Sequence, residues 1–147
     1  MKRMIGITSA VLIMASCSSG RIASDRVPSV IVNTVSQKFP AASKIEWEKN
    51  GMVYEAEFHE QSSEVTVELD ASGQILRVKQ DIPVNSLPAV VSNLLTSRYN
   101  DLTTDDVEKI QINGQVFYQV ELKGSGRTEK HLVFTENGTE VKESYWD

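Results

Sequence analysis

One cysteine, two histidines and four prolines are all that the 147 residues hold of those types, and each scarcity closes off a class of protein. A single thiol forms no intramolecular disulfide, so this is not a cystine-stapled scaffold. His59 and His131 lack a short ligand spacing and a cysteine to complete them, which makes a poor zinc site, and both are read as residues of a polar face. No serine sits in a GxSxG elbow: Ser62, Ser63 and Ser125 lack that context, so nucleophilic catalysis has no candidate. Gly124-Ser125-Gly126-Arg127 has neither a Lys-Ser/Thr pair nor a following helix pattern, and reads as a hairpin loop rather than a phosphate cradle. Positive charge is also short. Fifteen Lys and Arg stand against twenty Asp and Glu, for a net charge of −5, and such a chain is repelled by a phosphate backbone. No apolar run reaches the roughly 20 residues that span a bilayer.

The longest apolar run, Met4 to Met14, is broken by Gly6, Thr8 and Ser9 and follows the cations Lys2 and Arg3. It ends in Met14-Ala15-Ser16-Cys17, small residues immediately before a cysteine, the pattern read by the lipoprotein signal peptidase, with Met14 where leucine is commonest. Residues 1–16 are therefore expected to be a lipoprotein signal peptide, Cys17 the acylated N-terminal residue, and 17–26 a short polar tether. An ordinary signal peptide that happens to hold a cysteine is the alternative. Several acyl chains on one residue give the stable anchoring that a single chain does not. No acidic residue follows Cys17 directly, so the expected place is the outer membrane facing the periplasm, with surface exposure left open.

What remains is built twice. Val27, Val30, Ile31, Val35 and Phe39 recur at three- and four-residue steps, as one buried helical face requires. Pro28 is tolerated in a first turn, Asp25 or Ser24 could cap, and Pro40 ends the helix. Strand-like alternation follows in Lys44–Glu48, Met52–His59 and Glu64–Asp70, with Asn50-Gly51 as a tight turn and a fourth strand at Ile75, Leu76 and Val78. Leu87, Val90, Val91, Leu94, Leu95 and Tyr99 then repeat the helical face, and Lys109–Ile112, Val116–Lys123 and Lys130–Thr135 the strands. In this reading Ile110 and Ile112 stand for Ile45 and Trp47, Asn113-Gly114 for Asn50-Gly51, Tyr118–Leu122 for Tyr54–Phe58, and Asn137-Gly138 for Ser72-Gly73. The fold class expected is α+β: two tandem units, 27–81 and 82–147, each a helix followed by an antiparallel meander, packed side by side. One sheet face is apolar and packs on the helix, and the other is polar. Trp47, Tyr54 and Phe58 fall on the apolar phase and are core.

The pattern Val/Leu-Pro-x-Val, an aromatic before Pro40 or Asn100, Lys44-Ile45-Glu46-Trp47, Tyr54 to Phe58 and Leu69-Asp70-x-x-Gly73 resembles the PepSY-like family, small exported bacterial proteins also described as beta-lactamase-inhibitor-like. The likeness runs from about Val27 to Val141. The second unit departs from it in having Asn100 for the proline and no tryptophan matching Trp47. The resemblance implies an architecture like that of the beta-lactamase inhibitory protein and a non-enzymatic role in the cell envelope, since related PepSY domains occur beside peptidases that they are thought to restrain. Its motifs are structural and carry over no contact residue.

The polar phase supplies the candidate binding face: Glu46, Glu48, Glu55 and Glu57 in the first unit, Phe117, Gln119 and Glu121 in the second. The glutamates, with Glu64 and Glu68, read first as a solvated sheet surface. A docking surface for a basic partner and a divalent-cation patch are the alternatives, and a glycosidase-type carboxylate pair lacks the cleft it needs. Phe117, Tyr145 and Trp146 are aromatics that either enrich a binding surface or cover a seam. The function expected is a lipid-anchored envelope protein that binds another protein, as an inhibitor or modulator of a hydrolase. A small-ligand or cation-binding module is the alternative. No cofactor, no resident metal and no nucleic acid are expected.

Overall fold

The structure is a computed structural model that describes residues 20–142 and Trp146. The leader over residues 1–16, Cys17 and Tyr145 lie outside the described residues. Two ten-residue helices form where the apolar steps predict them, α1 (Ser29–Lys38) and α2 (Ala89–Arg98). Neither has a side-chain cap. Ser24 and Asp25 belong instead to a short 3-10 turn, Ser24–Arg26, repeated at Val84–Ser86. Pro28 and Pro88 occupy the capping position, where their carbonyls accept from Ile31 at 3.0 Å and Val91 at 2.9 Å. A proline there sets φ and has no N–H of its own to leave orphaned. At the other end Phe39 and Tyr99 leave the helical region alike, with φ of −128° and −131°. Only Phe39 is followed by a proline, so α2 ends without that constraint. Tyr99 is held by its surroundings, with the Lys130 ammonium 5.1 Å from the ring and its hydroxyl 3.4 Å from Glu140.

Among the described residues, nine strands make one antiparallel sheet in which spatial order equals chain order. They are β1 (Gly20–Arg21), β2 (Ser43–Asn50), β3 (Val53–Glu60), β4 (Ser63–Asp70), β5 (Ile75–Asp81), β6 (Thr103–Ile112), β7 (Gln115–Lys123), β8 (Glu129–Thr135) and β9 (Glu140–Val141). Gly20 and Arg21, inside the stretch read as a tether, pair with Lys49 and Glu48. The β5–β6 pairing, from Arg77↔Ile112 to Asp81↔Glu108, joins the halves. Two apolar clusters form on one side of this sheet. The first gathers Val27, Ile31 and Val35 with Trp47, Tyr54, Ala56, Phe58, Val65, Val67 and Leu69. The second gathers Leu87, Val91 and Leu95 with Val107, Tyr118, Val120, Leu122, Leu132 and Phe134.

Register corrects the sequence alignment of the halves. Trp47 pairs with Ala56, and Val107 with Val120. Val107, not Ile110 or Ile112, therefore stands for Trp47. Ile110 and Ile112 lie on the opposite face, because β6 and β7 extend further toward their turn than β2 and β3. The turns differ accordingly. Asn50 pairs with Val53, leaving Gly51-Met52 as the loop, whereas Ile112 pairs with Gln115 and leaves Asn113-Gly114. Both Asn113 and Gly114 have positive φ, which asparagine and glycine supply at least cost.

The Leu-Asp-x-x-Gly stretch is a helix rest. The Asp70 carboxylate accepts from Ser72 N–H at 2.8 Å, the Ser72 hydroxyl at 2.6 Å and Gln74 N–H at 3.0 Å. The Ser72 hydroxyl first, and then the backbone, hold that carboxyl below its usual range. The turn brings Gly73, at φ +86°, so close to α1 that a Cβ would stand 3.1 Å from both Thr34 and Val30. Gly138, at φ +82°, backs onto Val90 and Leu94 of α2 in the same way.

Candidate functional site

Both helices share their clusters with the same sheet face, so the other face carries neither of them. Alternation places every candidate residue there. Glu46 stands opposite Glu57, Glu48 opposite Glu55, and Glu55 opposite Glu68. Phe117, Gln119 and Glu121 follow on β7, four strand spacings from β3, or roughly 19 Å at about 4.8 Å each. The candidates are therefore on one face but in two areas.

The first area is acidic and partly neutralised. Arg21 reaches Glu46 at 2.7 Å and Glu48 at 3.8 Å. Arg77 grips Glu68 with both fork ends, Nε to Oε2 at 2.5 Å and Nη2 to Oε1 at 2.6 Å, the geometry in which arginine binds carboxylate best. Glu55 sits among these carboxylates. Burial, and then Glu68, Glu48 and Glu57, push its pKa up. A depression of about 360 Å³ lies over this ground, lined by Glu48, Asn50, Val53, Glu55, Glu68 and Arg77.

The second area is not the polar surface that alternation predicts. Ile110, Ile112, Phe117 and Val133 bring apolar side chains to it, and Gln119, a candidate contact residue, is 1% exposed. The cover is the C-terminal Trp146, itself 7% exposed. Gln119 Oε1 accepts from the Trp146 N–H at 2.8 Å, and its Nε2 donates to the Trp146 carbonyl at 3.1 Å and to Glu108 at 2.8 Å. Lys79 Nζ donates to the same carbonyl at 3.0 Å and pairs with Glu108 at 3.1 Å. The Arg77 guanidinium lies 3.9 Å from the indole centroid. Glu108 escapes the sequence reading, which places Ile110 in the core and so inverts the faces of β6, while Arg77 and Lys79 lie on β5, where that reading names only Ile75, Leu76 and Val78. The signal that finds Glu108 is the sixty-residue step from Ser29 to Ala89, which carries Trp47 onto Val107 and Glu48 onto Glu108.

Glu121, Glu129 and His131 meet at the far edge, each offering a ligand atom within 4.8 Å of the others. His131 Nε2 lies 2.8 Å from Glu129, while Glu121 is engaged by Lys123 at 2.8 Å. Lys123 also donates to Asp105 at 2.6 Å; these hydrogen bonds, Asp105 first, hold its pKa above the usual lysine range. An internal ammonium thus already serves one of the three donors.

Asp81 ends β5 opposite Glu108. Burial first, then Asp106, Glu64 and Glu108, push its pKa up to about 6. A raised folded-state pKa means that the stabilising contribution is complete below the ordinary value near 3.8 and is lost as pH rises through about 6. Asp81→Asn stays neutral. It is expected to stabilise the protein at pH 7.5 by about 1 kcal/mol, after discounting for solvent screening of a half-exposed group, and to give no gain at pH 3.5. Urea unfolding at the two pH values checks this, and an equal effect at both would refute it.

A family model described as "Putative beta-lactamase-inhibitor-like, PepSY-like" matches residues 12–77 and, overlapping them, residues 54–142. Among solved structures, a DUF2874 family protein from Bacteroides uniformis is similar at 20% identity and a TM-score of 0.72, over 78% of this chain and 86% of that one. A second, from Bacteroides ovatus, matches at 20% identity and 0.71, over 81% and 87%. A BLIP-like protein from Bacteroides fragilis matches at 25% identity and 0.68, over 80% and 84%. Curated proteins contain no match. These likenesses concern the fold.

Proposed function

On the premise that the chain belongs to the PepSY-like, beta-lactamase-inhibitor-like family, we propose that it is a lipid-anchored cell-envelope protein that binds another protein through the helix-free face of its sheet and restrains a hydrolase by doing so. The observation that carries this reading is the face itself. Strands from both halves share one face that neither α1 nor α2 covers, with carboxylates at one end and, at the other, apolar groups over which Trp146 closes. A face so divided suits a partner whose basic patch meets the carboxylates while an apolar patch meets the other end. The leader pattern and Cys17 support an anchor on the periplasmic side of the outer membrane.

The test expresses the full chain and its Cys17→Ala form in a bacterial envelope and captures each by affinity tag. The full chain should sediment with membranes and Cys17→Ala should not. Both should recover one stoichiometric protein, which Glu55→Lys with Glu57→Lys should lose at least about tenfold while keeping its melting temperature. Recovery of no partner by folded protein, or of one indifferent to these charge reversals, would overturn the reading.

A further inference from the structure

The seat of Trp146 is built like a peptide-binding subsite. Trp146 lies five residues beyond Val141, where the sheet ladder ends. Among the described residues its backbone is held by side chains: Gln119 takes both the N–H and the carbonyl, and Lys79 takes the carbonyl again. One amide that pairs with both backbone polar groups of a residue reads backbone, whatever the sequence. Its orientation is set in advance. Glu108, an acceptor only when ionised, holds the Gln119 Nε2 end, which leaves Oε1 to meet an incoming N–H. Lys79 in turn is held by Glu108 at 3.1 Å, so the three polar groups brace one another around the bound residue.

The side-chain half of the seat selects for an aromatic. Arg77 stands 3.9 Å and Lys79 5.5 Å from the indole centroid, and tryptophan gives a cation the strongest face of any residue. Arg77 is itself fixed by both oxygens of Glu68, so the platform is preorganised. A cleft of about 130 Å³ remains beside the indole, lined by Ile110, Ile112, Phe117 and Val133 together with Arg77 and Gln119. Withdrawing Trp146 breaks no strand pair, yet leaves Gln119 without two of its hydrogen bonds.

We infer that this pocket is the recognition site for a partner's extended segment bearing an exposed tryptophan, and that the chain's own Trp146 occupies it in cis until such a segment displaces it. The inference rests on the partner-binding reading above and names the chemistry of the contact. It makes the tail a competitor. Partner affinity is lowered by whatever fraction of molecules hold the pocket closed.

The probe is the acetylated hexapeptide of residues 142–147, Lys-Glu-Ser-Tyr-Trp-Asp, added in trans to the full chain. The Trp146→Ala chain should bind it at least about tenfold more tightly than the unaltered chain does. The same peptide with alanine for tryptophan should bind at least about tenfold more weakly, a control that leaves the protein untouched. Gln119→Met added to Trp146→Ala should remove binding, with near-UV circular dichroism as the check on folding. Folded Trp146→Ala protein that ignores the peptide overturns the inference, as does equal binding by the unaltered chain or equal binding of the alanine peptide. An envelope partner captured equally by the unaltered and Trp146→Ala chains would leave the broader reading standing and sink this one.

Discussion

Lys79→Met is expected to cost about 3–5 kcal/mol, the range for breaking a buried pair by removing one partner. The Lys79 and Glu108 side chains are 13% and 7% exposed, and they meet at 3.1 Å. Without the ammonium, Glu108 keeps, among the described residues, the hydrogen bond from Gln119 at 2.8 Å against the desolvation of a full charge. The loss should propagate to the tail, because Lys79 also donates to the Trp146 carbonyl. The companion substitution Glu108→Gln removes the stranded charge, so Lys79→Met with Glu108→Gln should recover most of the stability. Urea unfolding of the four proteins in this cycle measures the coupling. Simple additivity, or a cost below about 1 kcal/mol for Lys79→Met, would show that the pair is solvated like a surface ion pair.

Phe134→Ala should cost a comparable amount, about 3–5 kcal/mol, through lost transfer energy and the cavity left behind. Phe134 is 1% exposed and belongs to the second apolar cluster. The melting temperature should fall by roughly 10–20 °C for a chain of this size. The informative readout lies in the other half. Trp47 belongs to the first cluster, and in a Trp146→Phe background it is the chain's sole tryptophan. Units of about 60 residues are marginal alone, and loss of the second half would leave β5 as an unpaired edge. Trp47 fluorescence should therefore report the same lowered midpoint as circular dichroism. Two separated transitions would mean that the halves fold independently despite the β5–β6 pairing.

Much of the architecture is legible from local pattern. Ile31 and Val35, and again Val91 and Leu95, are buried as the helical period expects, whereas Val30 and Val90, which the same period places on that face, are 45% and 42% exposed. Trp47, Tyr54 and Phe58 are in the core that alternation assigns them. The candidate face is less legible. Glu46, Glu48, Glu55 and Glu57 share one face because period-two alternation requires it, and the same rule brings Phe117, Gln119 and Glu121 to that face. Alternation says which side a residue takes, and nothing about what later covers it. Gln119 looks like a surface contact and is buried because a residue 27 positions away in the chain closes over it. Ile110 looks like core by composition, and lies on the opposite face because a hairpin with longer arms carries it there.

The sequence by itself determined the leader pattern, the twofold repeat, the two helices with their ends, the acid-rich strands and the family likeness. Each is read within a window of a few to about sixty residues. Tertiary structure alone decided three things: the pairing of β5 with β6 into one sheet, the register that puts Val107 and not Ile110 opposite the helices, and the burial of Trp146 against Gln119, Lys79 and Arg77. The physical reason is common to them. Periodicity is a property of one strand, whereas pairing, register and cover depend on which distant backbone or side chain satisfies the groups that strand presents.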